Sequence, residues 1–317
     1  MIKDPGSTRI AIVGVGNVGA TYAYSLLLSG LAGEIVLIDN NQAKTSGEAM
    51  DLNHAVPLTQ PTRIWAGKYE DTAGATITVI TAGSAQKAGE TRLDLVQRNI
   101  AILKSIIPEV VHHNPNGILL IAANPVDILT YAAWRISGLP SNRVIGSGTI
   151  LDTARFRYLL SQYARVDARS VHAFIIGEHG DSEVPVWSLA NIAGMKLEDY
   201  FAMNCRECET DVFDRIFQAT RDAAYQIIQR KGSTYYAIGS GLQRITEAIL
   251  RDQDTVLSVS TLIEDFHGVN DVYLSLPCVL GRNGVKQVLK IPLNKKEEEG
   301  FIHSASIMGE TIRSIGF

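Results

Sequence analysis

The sequence predicts an α/β protein: an N-terminal doubly wound parallel sheet, then a C-terminal substrate domain of α+β type. Three observations predict it. Short apolar runs alternate with helical stretches through the first half, the pattern of a parallel sheet with right-handed crossovers. A glycine-rich turn, Gly14-Val15-Gly16-Asn17-Val18-Gly19, follows the first run and opens the first helix. The second half changes to long amphipathic stretches followed by strands with turn signals. The chain has 317 residues, room for two domains of roughly 150 residues each. The change of pattern near Gly148 divides it into 1–148 and 149–317.

The elements follow in order. Arg9 to Val13 (RIAIV) is a short apolar run ending at glycine, as a buried parallel strand reads. Residues 17–28 carry apolar residues at helical spacing, and Glu34 to Ile38 (EIVLI) is a second strand. Residues 76–80 and Ile118 to Ile121 are further strands, with a helix over 93–111 between them. Beyond the boundary, 212–229 and 235–250 read as amphipathic helices. Residues 271–280 and 285–291 read as strands around the turn Arg282-Asn283-Gly284.

Composition excludes several classes. The chain is 46% hydrophobic and 20% charged, which is ordinary globular usage and not that of a disordered or fibrous chain. A net charge of −4 argues against a nucleic-acid binder. Three cysteines, Cys205, Cys208 and Cys278, make no disulfide framework and fit a reducing compartment. The most apolar stretch, 118–123, is too short to span a membrane. The start, MIKDPGSTRI, has no signal-peptide h-region. A cytoplasmic protein is expected.

The glycine motif is weak alone, but here it has its context. It follows a strand, opens a helix, and is followed by Asp39 at the end of the second strand. Gly14, Gly16 and Gly19 permit a tight turn and close backbone approach. The helix N-terminus then offers free N–H groups to a pyrophosphate, and Asp39 can accept from a ribose hydroxyl pair. That is the Rossmann fingerprint. An acid at Asp39 would repel a 2′-phosphate, so NAD is expected over NADP.

Other motifs can carry chemistry. Gly177-Glu178-His179-Gly180-Asp181-Ser182 follows an apolar run, and a histidine between glycines is accessible and suited to acid–base work at neutral pH. Asp152 and Arg155 share one helix face, which fits either an ordinary surface ion pair or a paired site. Residues 82–92 (AGSAQKAGETR) read as a plain solvated loop or as a mobile lid. Asn124-Pro125-Val126-Asp127 ends a strand at the carboxyl edge, where open α/β sheets bind ligands.

Together these phrases carry a resemblance. AGSAQKAGETRLDLVQRN, AANPVDI, GTILDTARFR and GEHGDSEVPVWS, in this order and spacing, resemble the L-lactate dehydrogenase family, within the lactate/malate dehydrogenase superfamily. The likeness runs from about Arg9 to the C-terminus. It implies that His179 is the proton donor and acceptor, that Asp152 orients its ring, and that Arg155 grips the substrate carboxylate. It implies that Arg92 arrives with the lid and polarises the carbonyl, that Asn124 bonds the substrate oxygen region, and that Thr234 and Ile238 line the substrate and nicotinamide side. Val18, Lys44, Tyr69, Gly83, Ser84, Ser105, Ala122, Asn124 and Ser147 fall on positions that line the dinucleotide. The reaction implied is hydride exchange between NADH and pyruvate.

Gln86 decides the acid. Malate dehydrogenases have arginine at the matching position, paired with the second carboxylate of oxaloacetate. Gln86 is uncharged, so pyruvate is expected instead. Many relatives have proline where this chain has Ala88, a departure that bears on lid kinetics. Arg157 and His172 match positions that bind fructose 1,6-bisphosphate in bacterial members. The resemblance also implies a homo-oligomer, usually a tetramer built as a dimer of dimers. The first strand starts close to the N-terminus, without the longer arm of vertebrate relatives.

The remaining features read as structural. Cys205-Arg206-Glu207-Cys208 lacks the second pair that a zinc ribbon needs, and no metal is expected. Residues 295–299 (KKEEE) read as a solvated helix start. Trp65, Trp134 and Trp187 read as packing residues, and His54, His112, His113, His267 and His303 as surface or element-end histidines. Malate dehydrogenase, another 2-hydroxy-acid dehydrogenase, an NAD-dependent glycosidase and a catalytically dead NAD-binding regulator are the alternatives. The glycosidase would need a metal-binding cysteine and histidine, and the regulator would be expected to have lost His179, Asp152 or Arg92.

Overall fold

The computed structural model describes residues 8–84, 89, 91–204 and 211–317, and of Arg92 it describes the backbone. The first half runs β1 (Arg9–Val13), α1 (Asn17–Ser29), β2 (Glu34–Ile38), α2 (Gln42–Ala55), β3 (Arg63–Ala66), β4 (Ile77–Ile80), α3 (Arg92–His113), β5 (Ile118–Ile121), α4 (Val126–Ser137) and β6 (Val144–Gly146). The second half continues with α5 (Ile150–Ala164), β7 (Val171–His172), β8 (Ile175–Ile176), β9 (Val184–Pro185), β10 (Asn191–Ile192), β11 (Met195–Lys196) and α6 (Leu197–Asn204). Then come α7 (Val212–Lys231), α8 (Tyr236–Leu250), β12 (Thr255–Ile263), β13 (Val272–Gly281), β14 (Gly284–Val288) and α9 (Lys295–Ser314).

The large sheet has nine strands in the order β14-β13-β12-β6-β5-β4-β1-β2-β3. Strands β1 to β6 are parallel, and the order reverses between β1 and β4. Their side chains alternate between two cores because successive residues point to opposite faces. Val13, Val36, Ile80 and Ile121 pack on one face, while Ile12, Ile35, Val79 and Leu120 pack on the other. With both faces covered, the strands can be apolar throughout, which is why they read as unbroken runs. Burying one such side chain contributes about 1.5–3 kcal/mol.

Two features go beyond the sequence reading. Strands β3 and β6 belong to the sheet, although neither stands out as an apolar run. The second half also does not build a separate large sheet: β12 pairs antiparallel with β6 through Ser260 and Gly146, so β12 to β14 extend the first-half sheet. A third core, from α5, α6, α7, β7, β8 and β10, lies in the second half around Phe156, Leu160 and Phe201. Trp187 packs against it, and Trp65 and Trp134 pack against the first core.

The C-terminal helix start differs from expectation. Glu297 is 4% exposed, not solvated. Its carboxylate accepts from the Asn294 N–H, the Ser188 N–H and the Ser188 hydroxyl, at 2.9, 2.9 and 2.7 Å. It is the N3 member of a capping box and also ties α9 to the turn after β9. Its neighbour Glu298 bonds His267 Nδ1 at 2.8 Å, so His267 is a half-buried partner and not a surface histidine. No helix among the described residues is long and apolar enough to cross a membrane.

Candidate active site

The dinucleotide crevice lies at the carboxyl ends of β1 and β4, where the strand order reverses. Gly14 has φ +102°, and a Cβ there would meet the Ala82 backbone N at 2.3 Å. Only glycine lets the two strand ends approach this closely. The Thr81 hydroxyl closes the same corner by donating to Gly14 O at 2.5 Å. Gly19 is similarly pressed on Gly14 O, whereas a Cβ at Gly16 would meet nothing within 4 Å. Helix α1 has no side-chain cap and no acid in its first turn. An open glycine before an uncapped, positively polarised helix end fits an anionic pyrophosphate. Asp39 is held at the tip of β2, accepting from the N–H groups of Val15 at 2.6 Å and Asn41 at 2.9 Å. Those bonds fix a carboxylate beside the glycine turn, as a ribose-binding acid requires. The residues present therefore fit NAD.

Other expected cofactor residues divide. Ser84 is brought to the crevice by Asn99, a buried residue of α3. Its amide accepts from the Ser84 N–H at 2.9 Å and donates to Asn124 O at 2.8 Å. Gly83 sits beside Ala123, and Ser147 follows β6 with its N–H on Ile121 O. Val18 and Ala122 are half-buried against the second core. Tyr69 lies near enough to Asp39 to feel its charge; burial, then Glu109 and Asp39, raise its pKa. Lys44 is exposed in the first turn of α2. Ser105 is exposed on α3 and its hydroxyl bonds Ile102 O, so no bond from it reaches the crevice.

Two of the catalytic candidates, His179 and Asp152, meet in a cavity of about 390 Å³, lined also by Asn124, Arg155, Glu183 and Arg221, among others. His179 follows β8. Its loop is held by Gly177, at φ +85°, and by the Ser304 hydroxyl, which accepts from the Glu178 N–H at 2.7 Å. Asp152 and Arg155 stand in the first two turns of α5 and point the same way because they are three residues apart. Asp152 Oδ2 bonds His179 Nδ1 at 2.5 Å, and Asp152 Oδ1 accepts from Arg155 Nη1 at 2.9 Å. With Nδ1 engaged, Nε2 is the ring nitrogen left to the cavity.

Electrostatics follows from this chain. The Asp152 side chain is 4% exposed and that of His179 23%. Burial alone would lower the His179 pKa. The Asp152 charge and hydrogen bond outweigh it, with help from Asp127 and Glu183, and raise it to about 9. Burial would raise Asp152, but His179 and Arg155 hold it below the ordinary carboxylate value. Asp127 is buried at the start of α4, accepting from the His179 N–H at 2.7 Å and the Ser260 hydroxyl at 2.6 Å. Burial pushes it up to about 6. It joins the catalytic loop to α4 and β12.

Thr234 and Ile238 do not line this cavity. Thr234 precedes α8 and Ile238 stands in its first turn, where α8 packs against α1. Asn17 Nδ2 donates to Ser233 Oγ at 3.0 Å, and Tyr22 OH bonds Thr246 Oγ1 at 2.5 Å across the α1–α8 contact. Arg157 is half-buried on α5, its Nη2 donating to Ala168 O at 3.4 Å. Its Nε has no partner among the described residues. His172 is exposed on β7. Gln86 and Ala88, the Cys205–Cys208 pair and the Arg92 side chain lie outside the described residues; Arg92 opens α3.

The sequence does not single out Asn99, Glu183 or Arg221, and it marks Asp127 only as part of the Asn124–Asp127 strand-edge motif, with no role of its own. Arg221, Ala224, Tyr225 and Ile228 line the cavity from α7. Their i, i+3, i+4, i+7 spacing marked one helix face, but nothing local marked that face as facing a site.

A pyrophosphate-fitting parallel sheet joined to a buried His–Asp–Arg chain defines an NAD-dependent dehydrogenase. Comparison with known proteins narrows this. Residues 8–146 match the lactate/malate dehydrogenase NAD-binding domain, and residues 149–315 match the alpha/beta C-terminal domain of the same family. The chain belongs to the lactate/malate dehydrogenase family. It is 52% identical to an L-lactate dehydrogenase of Priestia megaterium, over 97% of this chain and 96% of that one. It is 48% identical to L-lactate dehydrogenase 1 of Clostridium acetobutylicum, over 98% and 99%. Among solved structures, a lactate dehydrogenase from a Medee basin deep-sea metagenome library superposes with a TM-score of 0.95. That protein is 44% identical, over 98% of this chain and 99% of that one.

Proposed function

We propose that the protein is an L-lactate dehydrogenase that interconverts pyruvate and L-lactate. The observation that carries the reading is the buried chain from His179 through Asp152 to Arg155 in the cavity. The names of the relatives support it. When bound, NADH supplies the hydride and NAD accepts it. The glycine turn and α1 would hold its pyrophosphate and Asp39 its ribose. Arg155 holds the substrate carboxylate with its planar fork. His179 in its protonated form gives a proton from Nε2 to the developing alkoxide, and in its neutral form takes it back from lactate. Asp152 keeps the ring oriented and stabilises the imidazolium. Arg92 polarises the carbonyl when the lid closes and excludes water. The test is NADH consumption with pyruvate and with oxaloacetate. Strong pyruvate preference supports the reading, and oxaloacetate preference makes the chain a malate dehydrogenase.

Asp152→Asn removes the charge that raises His179. Its pKa should fall from about 9. The protonated donor is then lost at lower pH, so the alkaline fall in pyruvate reduction should move toward acid. A pH profile of kcat/KM that keeps its alkaline limb in place would contradict the pairing.

Specificity is assigned to Gln86. Gln86→Arg should move the pyruvate/oxaloacetate ratio of kcat/KM toward oxaloacetate by about 10²-fold, since it supplies a partner for a carboxylate otherwise buried alone. An unchanged ratio would count against it. Arg157 and His172 are proposed to bind fructose 1,6-bisphosphate at a subunit interface of a homotetramer. A half-buried guanidinium whose Nε has no partner among the described residues supports a polyanion there. Half-saturation by pyruvate that does not respond to the bisphosphate would remove this part alone.

A further inference from the structure

The cavity contains a carboxyl group that the mechanism above does not use. Glu183 precedes β9, is 6% exposed, and lines the cavity with His179 and Arg155. Its Oε1 is buried with no hydrogen-bond partner among the described residues. A buried carboxylate is normally bonded, paired or neutral. The titratable and charged groups that line the same cavity are Asp152 and Arg155 from α5, His179 and Asp181 from the catalytic loop, and Arg221 and Tyr225 from α7. Tyr225 OH donates to Asp181 Oδ1 at 3.1 Å. Asp152 opposes ionisation of Glu183, while His179, Arg155 and Arg221 favour it. Burial is the largest influence, and the carboxyl is pushed up to about 8.

The charges around the cavity suggest what this group does. His179 as imidazolium, Arg155 and Arg221 face the carboxyls of Asp152, Asp181 and Glu183. A substrate carboxylate adds one more negative charge to the same space. Asp152 is held by two cations and Asp181 accepts from Tyr225. Glu183 Oε1 has no bond to lose by taking a proton.

We propose that in alkaline solution, where Glu183 is ionised in the free protein, it takes up a proton from solvent when the carboxylate of a 2-oxo or 2-hydroxy acid enters the cavity, and returns it when the acid leaves. This rests on the substrate class proposed above. The proton adds to Oε of Glu183 and no other bond changes. Substrate and product carry the same carboxylate, so Glu183 stays neutral through hydride transfer. It is a positioning residue that couples anion affinity to pH, beside the proton carried by His179. Binding of the 2-oxo acid must weaken with rising pH more steeply than His179 alone dictates.

Glu183→Gln keeps the shape and cannot ionise. Proton uptake is counted with an indicator dye as oxamate, which carries the same carboxylate as pyruvate, is added to the NADH-loaded protein. The wild type is expected to take up more protons than the variant, the difference rising toward about one per site at alkaline pH. Equal uptake would overturn the proposal. A readout on the wild type alone guards against a misfolded variant. The alkaline limb of kcat/KM for pyruvate should steepen toward a two-proton dependence, and a one-proton limb throughout would also overturn it. Absent pyruvate turnover, with the uptake difference retained, would remove the pyruvate reading and leave the role of Glu183 standing.

Discussion

His179→Ala is expected to lower pyruvate reduction by about 10²–10⁴-fold, the range that a positioned general acid contributes, while NADH binding survives. His179 Nδ1 is engaged by Asp152, and the ring lines the cavity, not the glycine turn. Removing the ring deletes the proton donor and leaves the Gly14–Gly19 corner and Asp39 untouched. The variant also leaves the buried Asp152 with Arg155 as its remaining partner, so some local rearrangement accompanies the chemical loss. The informative comparison is therefore single-turnover hydride transfer against NADH affinity from fluorescence titration. Loss of NADH affinity with turnover intact would refute the assignment.

Arg155→Leu should act on the substrate and not on the cofactor. Arg155 is the mostly buried cation that also bonds Asp152 at 2.9 Å. Leucine leaves an incoming carboxylate without its two-pronged partner in a partly desolvated cavity, at a cost of about 3–5 kcal/mol. That corresponds to a loss of roughly two to four decades in kcat/KM for pyruvate, carried largely by KM. NADH affinity should stay near that of the wild type. A variant whose pyruvate KM is unchanged would show that the carboxylate is gripped elsewhere, with Arg221 the next cation on the cavity wall.

Local sequence made some of this legible and tertiary contact hid the rest. Strands β1, β2 and β5 are apolar on both faces, so their runs and closing turns identify them directly. Strand β3 (RIWA) is a short edge strand beginning with an exposed arginine, and β6 has three residues. Neither is long enough to show a period. The joining of β12 to β6 connects residues more than a hundred positions apart, and no pattern within either segment encodes that pairing. In the site, His179 between glycines and Asp152 three residues before Arg155 have readable local chemistry. Asn99, Asp127 and Glu183 do not. Asn99 acts by bridging two strand-end loops, Asp127 by accepting a backbone bond from a loop 52 residues away, and Glu183 by being buried opposite α5. Glu297 shows the converse. A run of lysines and glutamates reads as solvated surface, yet one of its acids is buried because Ser188, 109 residues earlier, supplies two donors.

Proton donation to the substrate depends on Asp152 holding His179 as an imidazolium at neutral pH. The most direct measurement is the titration of the His179 ring nitrogens by NMR in the NADH-loaded protein, with the Asp152→Asn variant beside it. The wild-type midpoint is expected at about 9, well above the ordinary imidazole value of roughly 6.5, with a clear fall in the variant. A wild-type midpoint at or below that ordinary value, unmoved by the substitution, would contradict it.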